Sequence, residues 1–208
     1  MSKVSQYTIH LLRVGETAWD ADDRIIGDTD LPMTDAGTAA VASAIRIFQD
    51  QSLISTLLTS HEEAAQQAAK LVGSSTDMKI KAFDSLNNVG QGLWEGVLKS
   101  DLENRYPSAY SQWQETPERI VPPEGESFEV ALDRLISTIA KATTKAKGSN
   151  PVFLLVLRPW AWVTVRCWLN DQKISDIWDQ LAQPIQVESY QVTKSSLEAF
   201  QKKLKASA

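Results

Sequence analysis

Six consecutive residues, Val152–Leu157 (VFLLVL), carry no polar side chain, and a β-favouring run of this kind is stable only with both faces covered. It predicts the centre of a mostly parallel sheet layered with helices. Pro159 suits the first turn of a following helix, Pro159–Asn170. A second run, Ile9, Leu11 and Leu12 within Tyr7–Asp20 (YTIHLLRVGETAWD), stops at Arg13, and Gly15 breaks it where Glu16 and Thr17 can open a new element. Both strands thus end beside an arginine, Arg13 and Arg158, at the sheet edge where α/β folds place their ligands. A guanidinium there suits phosphate or carboxylate.

The remaining segments alternate in the same way. Ala21–Asp35 is Asp-rich with a Gly and a Pro, a turn-rich stretch leading to an N-cap near Thr34 or Asp35. Helical spacing of Val41, Ala44, Ile45 and Phe48 predicts an amphipathic helix over Ala36–Gln49. Leu53–Thr59 reads as a strand, His61–Val72 as a helix, Lys79–Phe83 as a third strand and Asn87–Gly96 as a loop. Val97–Pro123 reads as a helical insertion lying over the sheet, and Ser127–Lys145 as a long helix opened by Glu126 and Ser127. Ile185–Val192 and Ser195–Lys205 complete the pattern as a last strand and a helix. The expectation is one domain of 208 residues, a three-layer α/β/α sandwich.

A net charge of -5 argues against nucleic acid or an anionic membrane as partner, but leaves room for a local basic pocket. No apolar run is long enough to span a membrane and no secretory leader pattern opens the chain, so a cytoplasmic location is expected. With one cysteine, Cys167, and two histidines, His10 and His61, neither a disulfide nor a zinc site is expected, and no cofactor is implied.

Arg13 followed by Gly15-Glu16-Thr17 resembles the opening signature of the histidine phosphatases, the superfamily that includes cofactor-dependent phosphoglycerate mutase, which read Arg-His-Gly-Glu-Thr there. Gly27, Asp30, Pro32, Met33, Thr34 and Gly37 resemble the second block, with Ile26 where a glutamine is frequent. The resemblance runs from roughly Thr8 to Asn170 and takes in Trp94-Glu95-Gly96, Gly125-Glu126-Ser127 and Arg134. It implies the phosphoglycerate mutase-like sandwich and a phosphoryl group passed to a histidine among cationic donors and a proton-giving acid. Position by position, Val14 stands for the nucleophile, Ala64 for the second arginine, Asn88 for the acid and Arg158 for the second histidine. Only Arg13 of these five core positions is retained. The resemblance therefore implies a pseudoenzyme: a kept fold with its phosphoryl chemistry removed.

Several replacements are open. Arg13 and Arg158, with the hydroxyls of Thr17 and Ser60, could clamp a phosphate, sulfate or carboxylate; alternatively each arginine pairs with an acid such as Glu16 or Asp20. His61, beside Glu62 and Glu63, is the candidate substitute nucleophile of a divergent, active phosphatase or mutase-like enzyme. His10 lies four residues before Val14, about 13 Å along a strand, and reads as structural. Trp160, Trp162 and Trp168 either plug the vacated pocket or remodel it for a flatter ligand, and Cys167 reads as a buried thiol. The expected role is binding of a small anion or a protein partner without turnover. A structural role in a homodimer or larger assembly is the third alternative.

Overall fold

β1 (Gln6–Arg13) pairs in parallel with β4 (Val152–Leu157) and antiparallel with β5 (Val187–Thr193). On the other side of β4 come β2 (Thr56–Thr59) and β3 (Lys79–Ala82), both parallel, so the five strands run β3-β2-β4-β1-β5. The all-apolar VFLLVL run is the middle strand. This computed structural model describes residues 6–48, 53–73, 78–146, 150–172, 177–197 and 199.

Strand side chains alternate between two faces, and the core divides accordingly. Phe153, Leu155 and Leu157, with Ile9 and Leu11, join one cluster; Leu154 and Val156, with Leu12 and Val14, join the other. The second cluster is covered by α2 (Asp35–Ile47) and α3 (Glu63–Gly73), through Val41, Ala44 and Ile45 and through Ala64, Ala65, Ala68, Ala69 and Val72. The first is covered by α6 (Phe128–Thr143) and α7 (Pro159–Leu169). These are the three expected layers. Thr34 and Ser127 are the N-caps of α2 and α6, their hydroxyls accepting from the backbone N–H of Gly37 and Val130. Pro159 occupies the first turn of α7.

The 97–123 segment is helical, as the sequence suggests: it forms α4 (Lys99–Arg105) and α5 (Pro107–Glu115), whose Leu102 and Trp113 are buried in the same core as α6 and α7. Two elements differ from the sequence expectation. Strand β2 starts at Thr56 rather than Leu53. A short helix, α8 (Ile177–Ala182), occupies a stretch for which the periodicity gave no element. The predicted C-terminal helix begins at Lys194, but residue 198 and those from 200 on lie outside the described residues, as does Gln49 at the end of the predicted second helix. Among the described residues no helix is long and apolar enough to cross a membrane.

Gly15 and Gly37 set how closely α2 approaches the end of β1. A Cβ on Gly15 would lie 2.2 Å from the Gly37 carbonyl oxygen, and one on Gly37 would lie 2.5 Å from that of Glu16. Neither position admits a side chain without moving backbone.

Candidate functional site

The carboxyl ends of β1, β2 and β4 bring Val14, Ser60 and Arg158 to one edge of the sheet. Val14 is 2% exposed, donates its N–H to the Leu157 carbonyl and packs in the cluster that also holds Ala64. Its isopropyl group supplies no titratable or nucleophilic atom, and Ala64 supplies no donor.

Arg158 closes the end of β4 and is fully buried. Its Nη1 donates to Glu62 Oε1 at 2.6 Å and to the Thr29 carbonyl at 2.8 Å. Its Nε and Nη2 have no hydrogen-bond partner among the described residues. Glu62 is 4% exposed, and its second oxygen accepts from Ser60 Oγ at 2.8 Å and from the Asn88 backbone N–H at 2.9 Å. Burial raises the Glu62 carboxyl above the usual carboxylate range, against the opposing pull of Arg158 and the two donors. This is an ion pair in the interior, at the place where the resemblance puts a histidine.

Asn88 belongs to the same network. Its Oδ1 accepts from the N–H groups of Trp160 and Ala161, at 2.9 and 3.0 Å, in the first turn of α7, and its Nδ2 donates to the Gly27 carbonyl at 2.7 Å. The side chain thus needs both an acceptor and a donor. An ionised carboxylate could serve the helix but not Gly27.

The surviving landmarks hold the segment that carries Asn88. Arg134 bonds both oxygens of Glu126 at 2.6 Å and also donates to the carbonyls of Ser85, Asn87 and Asn88. Glu95 accepts from the backbone N–H groups of Gln91, Asp28 and Thr29 and from the Thr29 hydroxyl. It ties down the 26–30 turn that contributes Thr29 to Arg158. These carboxylates and Arg134 fix backbone geometry.

Asp28, next to Glu95, has its carboxyl raised by burial and by the neighbouring Glu95 carboxylate. A group with a raised folded-state pKa lends stability at low pH that is lost as the pH rises through that value. The wild type should therefore lose urea resistance, relative to Asp28→Asn, on going from below to above the ordinary aspartate range. Parallel urea midpoints for the two proteins across that range would show it; superimposable profiles would contradict it.

The four donors expected to form one clamp are divided between two neighbourhoods. Ser60 and Arg158 share Glu62, as above. Arg13 instead donates to the carbonyls of Leu181 and Gln183 at the end of α8 and lies 5.4 Å over the ring of Trp162. Thr17 donates its hydroxyl to Asp20 at 2.8 Å, opening the short helix α1 (Ala18–Ala21). Glu16 accepts from the Thr34 hydroxyl. The acid paired with Arg158 is thus Glu62 and neither Glu16 nor Asp20. The sequence signal for it was a carboxylate where the matching block of the resembled family has a leucine.

His61 is 59% exposed at its side chain, and its Nδ1 lies 2.7 Å from Asp84 Oδ1. Asp84 lines a polar cavity of about 470 Å³ with Asp28, Asn88, Gly90, Glu124 and Arg134. His10 meets Ser189 Oγ at 2.8 Å and the edge of Phe48, away from that cavity. Trp160 and Trp162 are 3% and 5% exposed core residues. Neither lines that cavity or a smaller one of about 310 Å³ beside Arg13, Val14 and Pro159. Cys167 is buried against Gln180.

Residues 9–200 match the histidine phosphatase superfamily (branch 1). The adenosylcobalamin/alpha-ribazole phosphatase of Escherichia coli (strain K12) is 28% identical over 131 residues, 63% of this chain and 64% of that protein. A probable phosphoglycerate mutase GpmB of Yersinia pestis (strain Pestoides F) is 25% identical over 146 residues, 70% of this chain and 67% of that protein. The match to the E. coli protein thus spans slightly less than two thirds of that protein's length. Among solved structures, Bacillus stearothermophilus YhfR superposes with a TM-score of 0.73 at 22% identity, covering 83% of this chain and 84% of that one. Mycobacterial hydrolase 1 superposes with a TM-score of 0.74 at 18% identity, covering 90% and 92%.

Proposed function

The chain belongs to the histidine phosphatase superfamily, and on that premise we propose that it has given up phosphoryl transfer through a histidine and holds a small oxyanion against Arg158 at the strand ends. One observation carries this reading. A fully buried guanidinium stands at the end of β4 with its Nε and Nη2 lacking acceptors among the described residues. Those two nitrogens form the edge of an arginine that meets carboxylate or phosphate in a bidentate fork. The residue content points the same way. The chain's two histidines are His10 and His61, and the valine and arginine at the strand ends can neither attack phosphorus nor shuttle a proton at neutral pH.

A second reading rests on His61. Its contact with Asp84 gives a histidine oriented by a carboxylate at the rim of the 470 Å³ cavity, the arrangement that activates an imidazole. Relatives named as phosphatases and mutases favour an active protein of this kind. Hydrolysis of a generic aryl phosphate by the wild type and by His61→Ala separates the two. We expect both to match the no-enzyme rate, with no acid-labile phosphoenzyme on quenching. Turnover in the wild type that disappears in His61→Ala would establish the second reading and sink the first.

A further inference from the structure

We infer that Glu62 is a built-in occupant of an oxyanion site: its carboxylate sits where a sulfate, phosphate or carboxylate ligand would lie, and such a ligand binds by displacing it. The inference rests on the anion-binding reading above and adds what controls that site.

Three donors from separate parts of the chain converge on this one side chain. They are Arg158 Nη1 from the β4–α7 junction, Ser60 Oγ from the end of β2, and the Asn88 backbone N–H from the loop held by Arg134. Glu62 itself precedes α3 and reaches into this cradle from a turn. A guanidinium, a hydroxyl and a backbone N–H focused on a negative oxygen form an oxyanion-binding set. Their acceptor happens to be covalently part of the chain.

The way Glu62 fills the cradle distinguishes an occupant from a purely structural ion pair. A structural carboxylate on a buried arginine is expected to take the two-pronged edge. Glu62 gives one oxygen to the single nitrogen Nη1, which is shared with the Thr29 carbonyl, and the Nε and Nη2 donors find no acceptor among the described residues. The cradle therefore offers more donors than its two oxygens take up. A tetrahedral oxyanion has the additional acceptors. Burial also disfavours the charged form of Glu62, which lowers the cost of its leaving.

The test is calorimetric titration of the full chain with sodium sulfate, whose charge is constant near neutrality, at fixed ionic strength. Wild type, Glu62→Gln and Arg158→Met are compared. Glu62→Gln keeps the side-chain length and removes the charge, so it should bind sulfate at least tenfold more tightly than the wild type, and Arg158→Met should bind none. Should Glu62→Gln fold poorly without an anion, the readout is its melting temperature in sulfate against equal-ionic-strength chloride. A sulfate-specific rise larger than that of the wild type supports the inference. Wild-type binding that depends on Arg158 but is no weaker than that of Glu62→Gln would overturn the occupant role and leave the anion site standing. Absence of binding in both, or binding that survives in Arg158→Met, would overturn the anion reading itself.

Discussion

Glu62→Leu, made alone, is expected to cost about 3–5 kcal/mol of folding stability, the loss typical of breaking a buried ion pair, read as a fall in the urea midpoint without a change of slope. The reason is asymmetric. Arg158 is fully buried, and a guanidinium, unlike a carboxylic acid, has no neutral form to retreat to, so without Glu62 it becomes an uncompensated charge held by the Thr29 carbonyl. Arg158→Met leaves Glu62 behind, and a carboxylic acid can neutralise itself. The Glu62 carboxyl is already raised by burial, and loss of the opposing charge raises it further. A raised folded-state pKa gives stability that is present at low pH and lost as the pH rises through it. Arg158→Met should thus be close to wild type in acid and progressively weaker towards neutrality, while Glu62→Leu stays weak throughout.

The pair Glu62→Leu, Arg158→Met should recover part of the loss, the part due to the uncompensated charge, because well-packed apolar replacements of a buried ion pair are often neutral. Full recovery is not expected. Ser60 Oγ and the Asn88 N–H would lose their acceptor, and each buried unsatisfied donor costs about 1–3 kcal/mol. Additive losses in the double variant would show that the two side chains are not coupled.

Trp113→Ala is expected to cost a similar 3–5 kcal/mol, a large part of a normal folding free energy of about 5–15 kcal/mol. Trp113 is 1% exposed, and its ring lies 5.9 Å from Trp94, 6.0 Å from Tyr110, 5.9 Å from Trp160 and 4.7 Å from Trp178. One indole thus joins α5 to the Trp94 turn, α7 and α8. Removing it opens a cavity bounded by four rings and loosens Trp160, whose backbone N–H is fixed by Asn88. Trp113→Phe should retain about half of the stabilisation. Denaturation followed by near-ultraviolet circular dichroism reports both the stability and the ring packing. A loss below about 1 kcal/mol for the alanine variant would mean that the cluster closes over the gap.

Arg13 marks the boundary between what chain order displays and what packing decides. Arg13 was legible as a strand-end cation, and the structure places it there. Its engagement by the Leu181 and Gln183 carbonyls was not, because α8 is a six-residue helix with too few positions to display a helical period. The landmark residues were legible as a pattern, but their purpose became visible only when Arg134 was seen gripping three carbonyls of the Asn88 loop.

The sequence by itself determined the layered fold, the central place of Val152–Leu157, the cap at Ser127 and, to within one residue, the cap at Thr34. Each of these is written in local order: an apolar run, or a capping hydroxyl before a helix. Only the tertiary structure decided that Arg158 pairs with Glu62, 96 residues away, that Asn88 caps α7 from 72 residues away, and that Arg13 serves α8 across 168. Such pairings follow from which buried charge or dipole must be answered once the sheet has brought distant segments together. Burial makes the partner obligatory, but chain order does not say who the partner is.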